Sequence, residues 1–395
     1  MGIKRYFANA DNTITNAYQE NLVTRGTGSN MGQADLLEVF SLYGQQSSAS
    51  SELTRFLIKF PVSNMSTDRA NEVIPASGSV SFYLKLFNCK HSGTTPRDYK
   101  LCVLAVSGAW EEGDGVDMEN YTDLTYDKIG SNWIRRTGST SWSTEGGDYY
   151  TDTSSSFTQS FDIGTENLEI DVTTLVEQWI DSGGNVLGSK DNHGFGIKLS
   201  SSYEASSSTN LDGAVVSYYN KKFFGRATEF FFEKPVLEAR WDSSRRDNRG
   251  NMYISSSLAP ASDNLNTLYM YNYIRGRLKD IGGHASSLPV LEFYYSSGSV
   301  PEGSPRGFLD SSNTAVTNIT ASRVSKGVYS VSFAMTSSIV DSTYPYLVDV
   351  WSTASIQVHT GSAITLQDFN LTAYNPYGKY VVSMPSLKKY YYQGQ

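Results

Sequence analysis

Residues 106–117, VSGAWEEGDGVD, set a tryptophan against two adjacent carboxylates and a glycine-flanked aspartate, the residue types a sugar-cleaving loop would use. Glycoside hydrolysis needs two carboxyl groups facing each other across the scissile bond, roughly 5 to 9 Å apart, with one held protonated. In an extended segment Glu111 and Glu112 point to opposite faces and cannot converge on one bond without a turn between them. The alternative is a shaped loop. In it Trp110 makes apolar contacts, the glycines supply backbone angles that other residues avoid, and Glu111 and Glu112 are solvated or paired with an arginine such as Arg135.

Residues 132–152, NWIRRTGSTSWSTEGGDYYTD, gather a second set of groups. Trp133, Trp142, Tyr149 and Tyr150, around the Gly146–Gly147 pair, have the flat apolar faces on which pyranose rings stack. With Trp110 they form the candidate carbohydrate-binding residues. The same aromatics would equally serve as a plug at one end of a β-sandwich. Asp114, Asp117, Glu119 and Asp148 offer oxygens of the kind Ca²⁺ accepts in loose geometry, but their spacing matches no EF-hand, and neither a cofactor nor a metal ligand is assigned.

Other chemistry finds no motif. His91, His193, His284 and His359 lie in four separate contexts, without zinc-type spacing. No GxSxG elbow, phosphate-binding GxxxxGK[ST] or strand-borne GxGxxG occurs. No catalytic residue is assigned.

The elements that must position these groups are strands. Aromatics reach 13% of the 395 residues and charged residues only 18%, a balance that suits half-buried pleated surfaces. The length calls for more than one domain. A net charge of −8 argues against a nucleic-acid or anionic-membrane partner. Neither an 18-residue apolar run nor a secretory leader in MGIKRYFANADN is visible, so the chain is expected to stay in solution. Cys89 and Cys102 flank a turn-rich segment and could face each other across a hairpin, although buried free thiols are the expectation.

Short alternating runs separated by Ser, Gly, Asn and Asp fill residues 1–241: LTRFLIKF, SVSFYLKLF, KLCVLAV, HGFGIKL and KPVLEARW. One helix is expected in LEIDVTTLVEQWIDSGG, capped by Asp171 or Thr173, with Leu175, Val176 and Trp179 on one stripe and Gly183 ending it. The pattern predicts an N-terminal jelly-roll sandwich over 1–241 and a connecting, docking segment over 242–285. An immunoglobulin-like β-sandwich follows over 286–374, then a terminal strand over 375–395 that could open a further β domain. The fold class is mainly β.

Taken in order, NAYQENLVTRGTGSNMGQADLLEV, LTRFLIKF, AWEEGDG, SNWIRRTGSTSWSTEGGDYY, IDVTTLVEQW, HGFGIKLS and KPVLEARWD resemble the carbohydrate-binding-module-like jelly rolls of the DNRLRE type, known from secreted bacterial proteins and phage virions. The likeness covers about 60% of the chain. The DNR near 247 follows the sandwich and is not the naming signature. The region from YYNKKFFGRATEFFFEKPVLEARWD through NLNTLYMYNYIRGRL is similar to structural proteins of marine tailed phages. The resemblance implies a non-enzymatic virion protein of the tail, baseplate or fibre, assembled in the host cytoplasm without membrane insertion. Its implied partners are copies of itself, other virion proteins and a host-surface glycan. A polysaccharide-recognising module, a capsid decoration protein and a polysaccharide-degrading enzyme are the alternatives.

Overall fold

A computed structural model of the chain describes all residues except 20, 44–50, 91–94, 117–129, 182–184, 207–209, 216, 257–263, 355 and 368–395. Asp117, Glu119, His91, Gly183 and the expected terminal strand 375–395 lie outside the described residues. The chain is mainly β, with 41% strand against 8% helix, and divides into two compact units, Met1–Ser243 and Ser244–Gln395. Among the described residues no helix is long and apolar enough to cross a membrane.

The first unit contains β1 (Gly2–Phe7), β2 (Ala10–Thr15), β3 (Leu36–Tyr43), β4 (Ser51–Lys59), α1 (Val62–Ala70), β5 (Ser81–Leu86), β6 (Tyr99–Ala105), β7 (Ser156–Phe161), β8 (Leu168–Asp171), α2 (Thr173–Ile180), β9 (Phe195–Leu199), β10 (Tyr218–Phe224) and β11 (Val236–Trp241). Two antiparallel sheets form, β1-β11-β5-β8 and β10-β3-β4-β9-β6-β7, with β2 added alongside β4. Period-two alternation turns Phe82, Leu84 and Leu86 of β5, Leu237 and Ala239 of β11, Phe56 and Ile58 of β4, and Phe195 and Ile197 of β9 into one shared core.

Helix α2 adds Leu175, Val176 and Trp179 to that core, the expected stripe. Neither expected cap is used: the N-cap position is Val172, which makes no side-chain cap bond, while just before it Asp171 Oδ1 accepts from the Thr173 amide at 2.9 Å and the Thr173 hydroxyl accepts from the Phe82 amide at 2.8 Å. Helix α1 was not expected. It buries only Val62 and Met65, and Arg69 fastens it to α2 through two bonds to Glu177, at 2.7 and 2.6 Å.

The cysteine hairpin does not form. Strand β5 belongs to the four-stranded sheet and β6 to the other, and Cys89 and Cys102 are half-buried free thiols.

The second unit holds β12 (Met252–Tyr253), β13 (Asn266–Tyr271), β14 (Tyr273–Ile274), β15 (Arg277–Leu278), β16 (Val290–Ser296), β17 (Phe308–Leu309), β18 (Ala315–Val316), β19 (Asn318–Thr320), β20 (Ser322–Ser325), β21 (Val328–Phe333), β22 (Tyr346–Thr353), β23 (Ile356–Thr360) and β24 (Leu366–Gln367). Its main sheets, β13-β21-β20 and β19-β16-β22-β23, enclose Leu268, Leu291, Phe293, Tyr329, Phe333 and Trp351.

The expected connector is therefore part of this sandwich. Strand β13 pairs with β21 over six residues, and Met252, Leu268 and Met270 are buried in the core. From the same segment Arg249 reaches Asp349 of β22, with nitrogen–oxygen distances of 2.5 and 2.6 Å.

Candidate functional site

Strand β4 carries the site because it is apolar on both faces. Phe56 and Ile58 enter the main core, while Leu57 enters a second cluster with Ile14, Val106, Trp133 and Trp142. Leu53, Trp110 and Tyr149 pack around this second cluster. The loop region after β6 thus folds back over the outer face of the larger sheet. A strand buried on both sides reads as a continuous apolar run, as Phe56, Leu57 and Ile58 do between Arg55 and Lys59.

The five sequence-selected aromatics are brought near this cluster, except that Tyr150 packs on the main core. Trp133 and Trp142 are each only 5% exposed, so neither presents a face on which a sugar ring could lie. The Trp142 indole donates to Asn132 O at 2.9 Å, and that of half-buried Trp110 to His193 O at 2.7 Å. The Tyr149 hydroxyl donates to Gly146 O at 2.8 Å; burial first, with the Glu204 charge assisting against Arg55, pushes it up to about 12. Lys190 lies 5.3 Å from the Tyr150 ring centre.

The WEEGDG loop is braced from behind. Glu112 is half-buried and binds an arginine, but Arg226 rather than Arg135. Its Oε1 accepts from Arg226 Nε and Nη2 at 3.0 and 2.8 Å, and from the Asp11 amide at 2.8 Å. Glu111 accepts from the Gly138 amide at 3.0 Å. Gly113 has φ +81°, and a Cβ there would fall 2.3 Å from Asn30 Oδ1, so both angle and space require glycine. Asp11 itself is 1% exposed and accepts from the Arg226 amide at 2.5 Å. Burial, reinforced by the Glu112 charge, pushes its carboxyl up to about 7.

Beside this covered face opens a cleft of about 970 Å³. Its floor is an ion network that the sequence did not reveal. Arg55 of β4 grips Glu204 with Nε and Nη2, both at 3.0 Å, and its Nη1 donates to Gly146 O at 3.0 Å. Lys198 of β9 lies 3.6 Å from the same Glu204 carboxylate. Burial alone would lower the Arg55 guanidinium, but the Glu204 charge raises it on balance. Lys198 is lowered, because burial outweighs that charge.

The walls of the cleft are Ser143, Thr144, Glu145 and Asp148 on one hand and Ser201 and Asn210 on the other. Gly146 passes so close that an added Cβ would lie 2.8 Å from both Arg55 Nη1 and the Trp133 ring. Asp148 accepts from the Ser143 and Thr144 amides, each at 2.8 Å, so it serves its own turn. Among the described residues no three His, Cys, Asp or Glu side chains gather as a metal site. His193 sits in the first unit, and His284 and His359 are exposed positions in the second.

No protein-family model and no curated protein matches the chain.

Proposed function

We propose that this protein is a non-enzymatic structural component of a tailed-phage particle, of the tail, baseplate or fibre region, whose partners are its own copies and adjoining virion proteins. The observation that carries the reading is the use of the loop aromatics. Trp133 and Trp142 are folded inward in a second core, with half-buried Trp110 and Tyr149 packed around it, so β4 of the larger sheet is covered by apolar side chains on both faces, which suits a stiff module better than a mobile lid or a stacking platform. The ordered likeness to DNRLRE-type jelly rolls and the tandem of β-sandwich units support it. The test is electron microscopy of intact particles labelled with an antibody to residues 286–395. Labelling at the tail or baseplate is expected, labelling over the head would favour capsid decoration, and labelling of a bacterial surface instead of a particle would overturn the reading.

A second reading, recognition of host-surface polysaccharide, is favoured by the cleft above Arg55. Its size lies within the range of small-ligand sites, and its walls carry hydroxyls and amides. If glycan binds there, Asn210→Ala and Lys198→Ala weaken it in a titration with purified envelope polysaccharide, while Trp142→Ala leaves it in place.

A further inference from the structure

Strand β13 of the second unit runs on into the short β14-β15 hairpin, and residues 269–279 read YMYNYIRGRLK. Period two sends Leu268 and Met270 into the core and leaves Tyr269 and Tyr271 on the outer face of the β13-β21-β20 sheet. Their rings lie 6.4 Å apart with planes 30° from parallel, and Tyr271 is 41% exposed. Thr267 and Ser332, whose hydroxyls are 2.8 Å apart, share that face with Ser330, the partner of Tyr269 across the strands. Unlike the tryptophans of the first unit, these aromatics are open to water.

Cations gather at one end of this face. The Arg245 guanidinium lies 5.7 Å from the Tyr271 ring centre and donates to Ser325 Oγ at 3.2 Å. Exposed Lys326 comes next in the turn between β20 and β21. The hairpin base is tied to that turn, because the Asn272 amide donates to Gly327 O at 2.8 Å and Asn272 Nδ2 donates to Lys279 O at 2.6 Å. At the hairpin tip Ile274 pairs with Arg277, and Arg275 (φ +51°) and Gly276 (φ +74°) make the turn. Two positive angles belong to a type I′ turn, which favours asparagine, aspartate or glycine at its first corner. Arginine there runs against backbone preference and holds a cation at the tip, beside Tyr273, which is 61% exposed. The ion pairs of this unit engage Arg249 and Arg323, and Arg275, Arg277 and Lys326 take no part in them among the described residues.

Residues 244–395 carry 12 Lys and Arg against 9 Asp and Glu, whereas residues 1–243 carry 20 against 31. The negative charge of the chain therefore belongs to its first part. We propose that the tyrosine face and the basic hairpin together bind a polysaccharide bearing uronate groups. A pyranose ring lies on Tyr271 or Tyr273, its hydroxyls meet those of Thr267, Ser330 and Ser332, and its carboxylate is taken by Arg275 or Arg277 with the two nitrogens that a guanidinium offers a planar acid. Asp247 borders the same face, its Oδ2 accepting from the Tyr269 amide at 3.2 Å. A nucleic acid, charged at every step, meets that carboxylate and the overall −8 of the chain, whereas a sugar polymer brings hydroxyls to the tyrosine face and its acid groups to the hairpin. The site is separate from the cleft above Arg55 and does not depend on the particle reading.

The experiment is isothermal titration of the full chain with polygalacturonate, alginate and hyaluronate, each also in its carboxyl-methylated form, and with oligodeoxythymidylate. At least one uronate polymer should bind, and its methylated form should not. Tyr271→Ala and the double change Arg275→Asn with Arg277→Gln should each weaken binding at least about tenfold. Asparagine suits the turn better than arginine does, so the melting temperature of the double variant should not fall, and lost binding in a protein of unchanged stability separates ligand contact from folding. Lys198→Ala, in the cleft of the first unit, should leave this binding unchanged. The proposal is overturned if none of the three polymers binds, if methylation makes no difference, if both sets of variants bind like the wild type, or if oligodeoxythymidylate binds more tightly than every uronate. Binding lost in Lys198→Ala and kept in the hairpin variants would also overturn it, by placing the glycan in the cleft. Particle labelling is read out independently, so a wrong site and a wrong function remain distinguishable.

Discussion

Arg55 in the first unit and Arg249 in the second make the same bond and do different work. Each grips a buried carboxylate with two nitrogens beside a tryptophan: Glu204 with Trp133 at 5.2 Å from Arg55, and Asp349 with the Trp351 indole donating to it at 2.7 Å. Asp349 has no exposed side chain, and its oxygens are held by the guanidinium and the indole. Glu204 is shared with Lys198, whose ammonium borders an open cleft. The same pair thus pins a sealed carboxylate in one place and floors a concavity in the other. Solvent reaches Arg249, whose side chain is 25% exposed, but not Asp349, whereas Glu204 is shared by two cations beside the cleft.

The comparison breaks most visibly at Asp349. Asp349→Ala leaves the buried Trp351 N–H without its acceptor and the partly exposed Arg249 without its ion pair, and urea denaturation should show a loss of about 3–5 kcal/mol from the two together. The next effect is on pH. The unfolded Asp11 carboxyl releases its proton near 3.8, the folded one near 7, so the native state holds more protons between those values. Stability of the first unit therefore falls as pH rises from about 4 to 7, by up to about 4 kcal/mol. Asp11→Asn should flatten that slope in melts across the window, and a slope that persists would assign the effect elsewhere.

A smaller loss, about 1–3 kcal/mol, is expected for Glu204→Ala, because water entering the cleft can solvate Arg55 and Lys198. Equal losses for Glu204→Ala and Asp349→Ala would erase the distinction between pin and floor. Smallest of all, a reducing agent should move the melting temperature of neither unit, since Cys89 and Cys102 are free thiols.

Much of the fold was legible because most strands obey period two. Residues 53–60, 79–87, 100–106, 193–199 and 234–241 all contain the strands their alternation suggested, and α2 shows its apolar stripe. Strand β2 was not legible, because ADNTIT inverts the usual rule: Asp11, Asn12, Thr13 and Thr15 are buried, and bonds such as Asn12 Nδ2 to Ser131 O at 2.8 Å satisfy them. Helix α1 escaped for a related reason, since VSNMSTDRA buries two side chains and leaves no stripe to read.

Segment 242–285 was misplaced because its alternating tyrosines announce a strand without naming the partner, β21, which comes far later in the chain. At the site, residue types were readable and directions were not. A tryptophan that stacks on a ligand and one that fills a core look alike in sequence. The pairs that decide the matter, Arg55 with Glu204 and Arg226 with Glu112, lie 149 and 114 residues apart.

The central claim is that the loop aromatics support a stiff module from within, and Trp142→Ala tests it most directly when unfolding free energy and polysaccharide binding are measured on the same preparation. The account predicts a stability loss of about 3–5 kcal/mol, as for other buried tryptophans, with any glycan titration unchanged per folded molecule. Unchanged stability together with abolished glycan binding would contradict it.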